Sequence, residues 1–211
     1  MKDLIGFFGH GLFLMSILLF LLQGKRWKQY WPVPYAIAAI VIILPLQDWL
    51  LIEFSRGYFS DLSVATILMC GLAVVNHTRP HSQKVGMSFH LLILILAIFL
   101  YPYSMGMSKN DPFVLGYATA SYYPVFVIGI MIIGLIAWFK NFKWIALFIA
   151  LSLIAQGLNV YGSGNLWLYL MDPIAVIISV SAVIAFTLEK VWTKVKKALE
   201  SKRANNVSEH A

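Results

Sequence analysis

Stretches of apolar residues alternate with short polar clusters along this chain. Each apolar stretch approaches the roughly 20 residues that a helix needs to cross the hydrocarbon of a bilayer. This pattern predicts an all-α membrane protein, a polytopic helical bundle of about seven transmembrane helices. The predicted spans are residues 3–23, 33–53, 60–76, 86–104, 121–139, 143–161 and 172–190.

The composition agrees with a protein embedded in lipid. Of the 211 residues, 60% are hydrophobic and only 12% are charged, whereas about a quarter of the residues in a soluble domain are charged. The net charge of +7 does not indicate nucleic-acid binding, because the basic residues lie beside the predicted spans, where lipid head groups and insertion topology account for them. We expect membrane lipids and a membrane or periplasmic protein as partners, and no nucleic acid.

Basic residues also predict the orientation of the bundle, since short cytoplasmic loops are enriched in Lys and Arg. With the N-terminus outside and the C-terminus in the cytoplasm, 13 of the 16 basic residues face the cytoplasm. The three that face outward are Lys2, Arg56 and Lys109. This alternation requires an odd number of spans, which favours seven. The predicted location is the plasma (inner) membrane, as a multi-pass protein of bacterial type.

The chain divides into three regions in this interpretation. Residues 1–190 form the transmembrane helical domain. Residues 191–203 are predicted to form a basic amphipathic helix on the membrane surface, because Val191, Val195 and Leu199 make one apolar stripe among lysines. Such helices lie on anionic lipid. Residues 204–211 are predicted to be a disordered tail.

Polar residues inside the predicted spans are the main candidates for a functional site. Asp48 lies about five residues from the outer end of the second span, and an ionisable group in hydrocarbon needs a partner or water. Polar groups inside a bundle turn inward and bind each other. We therefore predict one intramembrane binding layer, made of His10, Gln47, Asp48, Gln156 and Asn159. Asp48 is expected to pair with His10, and Arg56 is the competing partner.

Aromatic residues are concentrated towards the predicted outer side, where they suggest the walls of an outward pocket. We predict an outer mouth above the polar layer, formed by Arg56, Tyr101, Tyr103, Asn165 and Trp167. The aromatic side chains also fit the belt that Trp and Tyr form at membrane interfaces. The polar layer likewise fits hydrogen bonds that only hold helices together. The sequence therefore fits both a binding pocket and a purely structural role for these residues.

Three aspartates have the pattern of helix caps. Asp111 and Asp172 each precede a proline, and Asp accepts hydrogen bonds from free N–H groups while Pro suits the first helical position. Asp172 is predicted to cap the seventh span and Asp111 a short surface helix. Asp61 is predicted to cap the third span.

Motifs for catalysis are absent from the sequence. It contains no His-Glu zinc motif and no glycine-rich phosphate loop, and its single cysteine, Cys70, excludes a disulfide framework. We expect no cofactor, no metal site and no catalytic residue. An outward acid–base pair of Asp48 and His10 is the remaining route to enzyme activity.

Three functions follow from these observations. The leading hypothesis is a non-catalytic component of a cell-envelope assembly, whose outward polar and aromatic surface binds a partner protein or lipid. The alternative is a transporter or channel for a small solute, proton or lipid-linked group, with its site at Asp48. The third is a membrane-embedded enzyme that uses the outward acid–base pair.

Overall fold

α-Helices make up most of the part of the chain that the structure describes. This computed structural model describes residues 2–22, 32–46, 49–77, 85–107 and 111–209. In chain order the elements are α1 (Lys2–Leu21), α2 (Pro32–Ile42), the strands β1 (Pro45–Leu46) and β2 (Trp49–Leu50), α3 (Leu51–Phe59), α4 (Val64–Asn76), α5 (Met87–Pro102), a π-helical turn (Tyr103–Met107), a 3-10 helix (Pro112–Gly116), α6 (Tyr123–Phe139), α7 (Lys143–Gly157), α8 (Trp167–Leu170) and α9 (Pro173–Glu209).

Three of these helical segments are long and apolar enough to cross a membrane: Leu4–Leu21, Met87–Met107 and Pro173–Lys197. Four apolar helices are shorter, namely α2, α4, α6 and α7. The all-α class is confirmed, and the long apolar helices agree with a location in a membrane. The count of seven spans and their orientation stay predictions.

The predicted second span is not one helix. α2 ends at Ile42, and the chain then forms a small antiparallel hairpin in which Pro45 pairs with Leu50 and Leu46 with Trp49. Pro45 explains the break, because proline cannot donate the helical hydrogen bond and restricts the residue before it. Apolar residues on both sides of Pro45 concealed this end in the hydropathy pattern. The two residues between the strands, Gln47 and Asp48, lie outside the described residues.

The caps at Asp111 and Asp172 are confirmed. Asp111 accepts a hydrogen bond from the N–H of Phe113 at 2.9 Å, and Asp172 accepts one from the N–H of Ala175 at 2.6 Å. The predicted cap at Asp61 is wrong. Ser63, the residue directly before α4, accepts from the N–H of Thr66 at 3.3 Å, and it is closer to the first turn than Asp61.

α6 and α7 form a hairpin around a turn of three residues, Lys140–Asn141–Phe142. The N–H of Phe142 donates to the carbonyl of Ala137 at 2.8 Å, and the N–H of Asn141 donates to that of Trp138 at 3.0 Å. These two bonds, with Asn141 in the left-handed region at a φ of 61°, are the pattern that closes many helices at their C-termini. The turn is therefore a defined structure rather than a loose connection.

The core contains a segment that the sequence pattern places outside the helices. Residues 165–171 lie in the connection between α7 and α9. All of them except Leu168 are buried, among α4, α5, α6 and α7. The short helix α8 lies in this segment. α7 ends at Gly157 rather than near residue 161, and Asn159 then turns the chain with a φ of 50°. The connection thus returns into the bundle and fills it.

α9 is one continuous helix of 37 residues, about 55 Å long at the usual rise. The sequence predicts separate regions at 191–203 and 204–211, whereas the backbone stays helical through Glu209. No Gly or Pro follows Pro173, so the chain has no residue that strongly breaks a helix there. The division into a transmembrane domain, a membrane-surface helix and a disordered tail stays a prediction.

Candidate functional site

His10 is fully buried on α1 and joins α1 to α3 and to the residue that follows it. Its Nε2 lies 2.7 Å from the carbonyl oxygen of Ser60, and its Nδ1 lies 2.9 Å from the hydroxyl of Ser55. Because a carbonyl can only accept, Nε2 carries a proton and donates it. In the neutral ring, Nδ1 then accepts from the Ser55 hydroxyl. Both ring nitrogens are therefore satisfied by α3 and by Ser60.

Arg56 forms the ion pair of this region. Its Nε donates to Oδ1 of Asp61 at 3.1 Å, and its guanidinium lies 5.0 Å from the centre of the Phe7 ring. Gly6 permits this approach, since a Cβ there would lie 2.7 Å from Oδ1 of Asp61 and 2.8 Å from Cζ of Arg56. The predicted mouth residue Arg56 is thus held against α1 by a carboxylate five residues along the chain.

Asp172 joins the N-terminal ends of two helices. Its Oδ1 accepts from the N–H of Ala175 in α9 and from the hydroxyl of Thr66 in α4 at 2.7 Å. Its Oδ2 accepts from the N–H of Ser63 at 2.6 Å. A carboxylate is favoured at both ends, because each helix N-terminus carries partial positive charge. The sequence predicted the cap of α9 and missed the link to α4, which spans more than 100 residues of chain.

Two stacked tyrosines attach the connection after α7 to the start of α4. The rings of Tyr161 and Tyr169 lie 4.8 Å apart at an angle of 15°. The Tyr161 hydroxyl donates to the carbonyl of Leu62 at 2.6 Å, and that of Tyr169 donates to the carbonyl of Ser163 at 3.0 Å. Burial raises the pKa of the Tyr169 hydroxyl, so this group keeps the proton that it donates.

Asn165 and Trp167, predicted at an exposed mouth, are both buried. The Asn165 side chain donates to the carbonyl of Phe113 at 3.1 Å and accepts from the N–H of Trp167 at 3.0 Å. The Trp167 indole donates to the carbonyl of Pro112 at 3.0 Å, and its ring lies 4.9 Å from that of Phe126. These residues connect two loops instead of lining an opening.

The remaining predicted residues lie in separate places. Gln156 accepts from the Tyr123 hydroxyl at 2.6 Å and donates to the carbonyl of Gly164 at 3.4 Å. Asn159 is exposed. Tyr101 is half-buried against the core, and Tyr103 is exposed.

His10 and Gln156 thus belong to two different hydrogen-bond groups. Because Gln47 and Asp48 are outside the described residues, the pairing of Asp48 with His10 stays a prediction.

Together these contacts unite residues 60–63, 111–122 and 158–172, which we call the loop cluster. Within the described part of the chain, every buried side-chain nitrogen and oxygen has a hydrogen-bond partner. The same residues contain no group of three or more His, Cys, Asp or Glu that could hold a metal ion. These hydrogen bonds connect α1, α3, α4, α7 and α9. The buried polar groups that make them are hydrogen-bonded within the protein.

α3 carries polar side chains on the side that faces α1 and exposed aromatic side chains on the other. Ser55 and Arg56 lie towards α1, whereas Phe54 is 60% exposed and Tyr58 is 77% exposed. Trp49 in the preceding hairpin is 63% exposed. We call the exposed surface of Trp49, Phe54 and Tyr58 the α3 face. The hydropathy pattern does not predict this face, because it assigns Trp49 to the end of a membrane span and residues 54–59 to the connection after it.

Searches of protein-family models, of curated proteins and of solved structures give no match to this chain.

Proposed function

We propose that this chain is a non-catalytic, multi-pass component of a cell-envelope assembly in the plasma membrane, and that its α3 face binds a partner protein on the outer side. One observation carries the proposal: α3 places Ser55 and Arg56 towards α1 and leaves Phe54 and Tyr58 exposed on its other side. Exposed aromatic clusters of this kind are typical of sites for proteins or membranes rather than of surfaces that meet water alone.

The α3 face is held in place before any partner binds. His10 contacts Ser55 in the middle of α3 and Ser60 directly after it, and Arg56 is paired with Asp61. At the start of the helix, the N–H of Leu50 donates to the carboxylate of Glu53 at 2.9 Å. A rigid surface loses little conformational entropy on binding, and buried Trp and Tyr side chains supply much of the binding energy in protein interfaces.

The hydrogen bonds of His10 also support a non-catalytic role. An acid–base catalyst needs a group that is free to exchange a proton with a substrate. In the described residues His10 uses both nitrogens within the protein. Its position is that of a structural link between α1 and α3.

Purification of the tagged full chain from its native membrane in mild detergent tests this function. We expect a defined protein to co-purify, and we expect Phe54→Ala and Tyr58→Ala each to weaken its retention about tenfold or more, the scale of interface hot spots. Ile132→Ala is the matched control, because Ile132 is a similarly exposed apolar residue on α6. A lone monomer, or equal retention by all variants, would contradict the proposal and leave the α3 face as a lipid contact.

A second candidate function is a transporter or channel, and the interruption of the second segment favours it. α2 ends at Ile42 and α3 begins at Leu51, with the paired strands β1 and β2 between them. Gln47 and Asp48 follow β1 in the sequence. Interrupted helices near membrane depth are frequent at the substrate and ion sites of transporters. In this alternative, Asp48 is the group that binds the solute, proton or lipid-linked group.

This alternative is tested by measuring the uptake or growth that the Asp48→Asn protein supports. We expect a loss of function with Asp48→Asn and wild-type behaviour with Glu53→Gln, which keeps an oxygen able to cap α3. Wild-type function of Asp48→Asn would remove the role assigned to Asp48.

A further inference from the structure

A pair of cavities flanks the turn between α6 and α7. One has a volume of about 520 Å³ and is lined by Trp138 and Leu147, together with Asn141, Lys143 and Trp144. The other has a volume of about 390 Å³ and extends to Gly86, Ser88 and Phe89 at the start of α5. Asn141, Lys143 and Trp144 line both cavities.

Both cavities share the α6–α7 turn as a wall, and the second is also lined by a core aromatic residue. The turn is closed by the two backbone hydrogen bonds from Asn141 and Phe142 described above. On the other side, Phe89 is fully buried and packs edge-on against Phe148 at 5.3 Å. The second cavity is thus bounded by a hydrogen-bonded turn on one side and by a core aromatic ring on the other.

The charge around the turn is positive and has no counterpart in the neighbouring sequence. Lys140 and Lys143 are both exposed, and the chain has no Asp or Glu from Pro112 to Met171. In the described residues, the ion pairs join Arg56 to Asp61 and Lys196 to Glu200. Neither lysine of the turn takes part in them, so an anion from outside the chain fits this place.

The surrounding aromatic residues indicate where such an anion comes from. Trp138 is 69% exposed and Trp144 is half-buried, and both lie within two residues of a lysine of the turn. The exposed residues of α6 before the turn are apolar, among them Ile132, Leu135 and Ile136. Trp beside Lys at the end of an apolar helix is typical of the boundary between hydrocarbon and head groups. This favours a lipid over a soluble anion.

We propose that the cavities at the α6–α7 turn bind the head group of an anionic phospholipid, with Lys143 contacting the phosphate and Trp144 lying beside the glycerol region. This site is distinct from the α3 face and from the basic end of α9. It does not depend on the function proposed for either. Its occupant is a single lipid in a shaped site, in contrast to the diffuse attraction between a basic helix and a charged leaflet.

Photo-crosslinking in nanodiscs tests the site, with the full chain and two lipids of matched acyl chains. One lipid is phosphatidylglycerol and the other is phosphatidylcholine, each with a photoreactive group near the glycerol. Peptide mapping then gives the adduct yield on residues 138–147 alone. We expect phosphatidylglycerol to give the larger yield there, and Lys143→Gln to lower it about fivefold, the contribution of one basic residue near an anionic surface.

Control variants separate this site from general charge effects. Lys143→Arg keeps the positive charge and should keep most of the yield, and Lys194→Gln removes a charge from α9 and should leave the yield on residues 138–147 unchanged. An unchanged thermal midpoint of Lys143→Gln checks that the turn still folds. Equal yields for the two lipids, or no effect of Lys143→Gln, would overturn the proposal.

Inorganic phosphate added to phosphatidylcholine nanodiscs distinguishes a lipid head group from a free anion. The measurement is the reactivity of the Lys143 amine towards an amine-modifying reagent, with and without phosphate. We expect phosphate to leave this reactivity unchanged, because the proposed occupant is a lipid. Protection of Lys143 by phosphate, without any preference for phosphatidylglycerol, would assign the site to a free anion and overturn the lipid proposal.

Discussion

The loop cluster and the α6–α7 turn differ in the partners of their polar residues. In the loop cluster, charged and polar side chains bind one another: Asp172 accepts three hydrogen bonds, and Asn165 connects two loops. At the α6–α7 turn, Lys140 and Lys143 are exposed, and no acidic residue lies nearby in the sequence.

The two regions are joined by α6, which begins beside the loop cluster at Tyr123 and ends at Phe139. Seventeen helical residues place them about 25 Å apart, close to the thickness of a hydrocarbon core. The difference suggests separate roles. Polar groups at one end hold the helices together, and those at the other end are available to molecules outside the chain.

Membrane topology is the strongest test of the difference between the loop cluster and the α6–α7 turn, since we expect the two regions on opposite sides of the membrane. In a Cys70→Ala background, Thr119→Cys should react with an impermeant thiol reagent added to intact cells, because residue 119 is exposed in the loop cluster. Asn141→Cys should react only after the membrane is opened. A reporter fused after Ala211 should be cytoplasmic, as the excess of basic residues on that side predicts. Reaction of both variants from the same side would remove the basis of the comparison.

Some of these features could be predicted from short-range patterns. The Asp-Pro pairs at Asp111 and Asp172 correctly predicted two helix starts, because capping depends on residues only two or three positions apart. The long apolar helices could also be predicted, because a continuous run of apolar residues is a local pattern. Hydropathy averages over a window, however, so it did not detect that Pro45 ends α2 at Ile42.

Contacts between residues far apart in the sequence could not be predicted from short-range patterns. His10 was expected to meet Asp48, and in the described residues it meets Ser55 and Ser60, whose hydroxyl and carbonyl groups no motif distinguishes from others. The predicted spans leave residues 162–171 outside the helices, although the run Leu166 to Met171 is almost wholly apolar. That run was the available signal that the segment packs into the core.

Asp172→Ala should cause the largest loss of stability within the loop cluster. It removes three hydrogen bonds to a charged acceptor and leaves the N-termini of both α4 and α9 without it. Bonds to charged groups contribute about 1.5–3 kcal/mol each, and because they share one carboxylate we expect a total loss of about 3 kcal/mol. The measurement is the free energy of unfolding in detergent or lipid.

Asp111→Ala is the matched control for this change. Asp111 also precedes a proline and caps a helix, but it is exposed and caps one short 3-10 helix. Its loss should be about 1 kcal/mol, the usual value for a cap. Equal losses for the two variants would show that the link from Asp172 to Ser63 and Thr66 adds no stability.

A double-mutant cycle on His10 and Ser55 should give a smaller effect. Each single change, His10→Leu or Ser55→Ala, leaves the other polar group unpaired inside the bundle. The double change should recover part of the loss, with an interaction term of about 0.5–2 kcal/mol. Thermal stability of the four proteins gives this term.

The same cycle with Asp48→Leu in place of Ser55→Ala tests whether His10 also contacts Asp48. We expect a similar interaction term if the two side chains pair as the sequence predicts. Strictly additive losses in that cycle would separate Asp48 from His10, and would leave His10 as a link between α1 and α3 only.

Tyr161→Phe should give the smallest effect on the loop cluster. The change keeps the ring stacked on Tyr169 and removes the hydroxyl that donates to the carbonyl of Leu62. The free energy of unfolding should fall by about 1 kcal/mol, the net contribution of one hydrogen bond. Tyr58→Phe is the control, since Tyr58 is 77% exposed and its hydroxyl is free to bind water. An effect of Tyr58→Phe as large as that of Tyr161→Phe would mean that the internal hydrogen bond to Leu62 does not distinguish the loop cluster from an exposed surface.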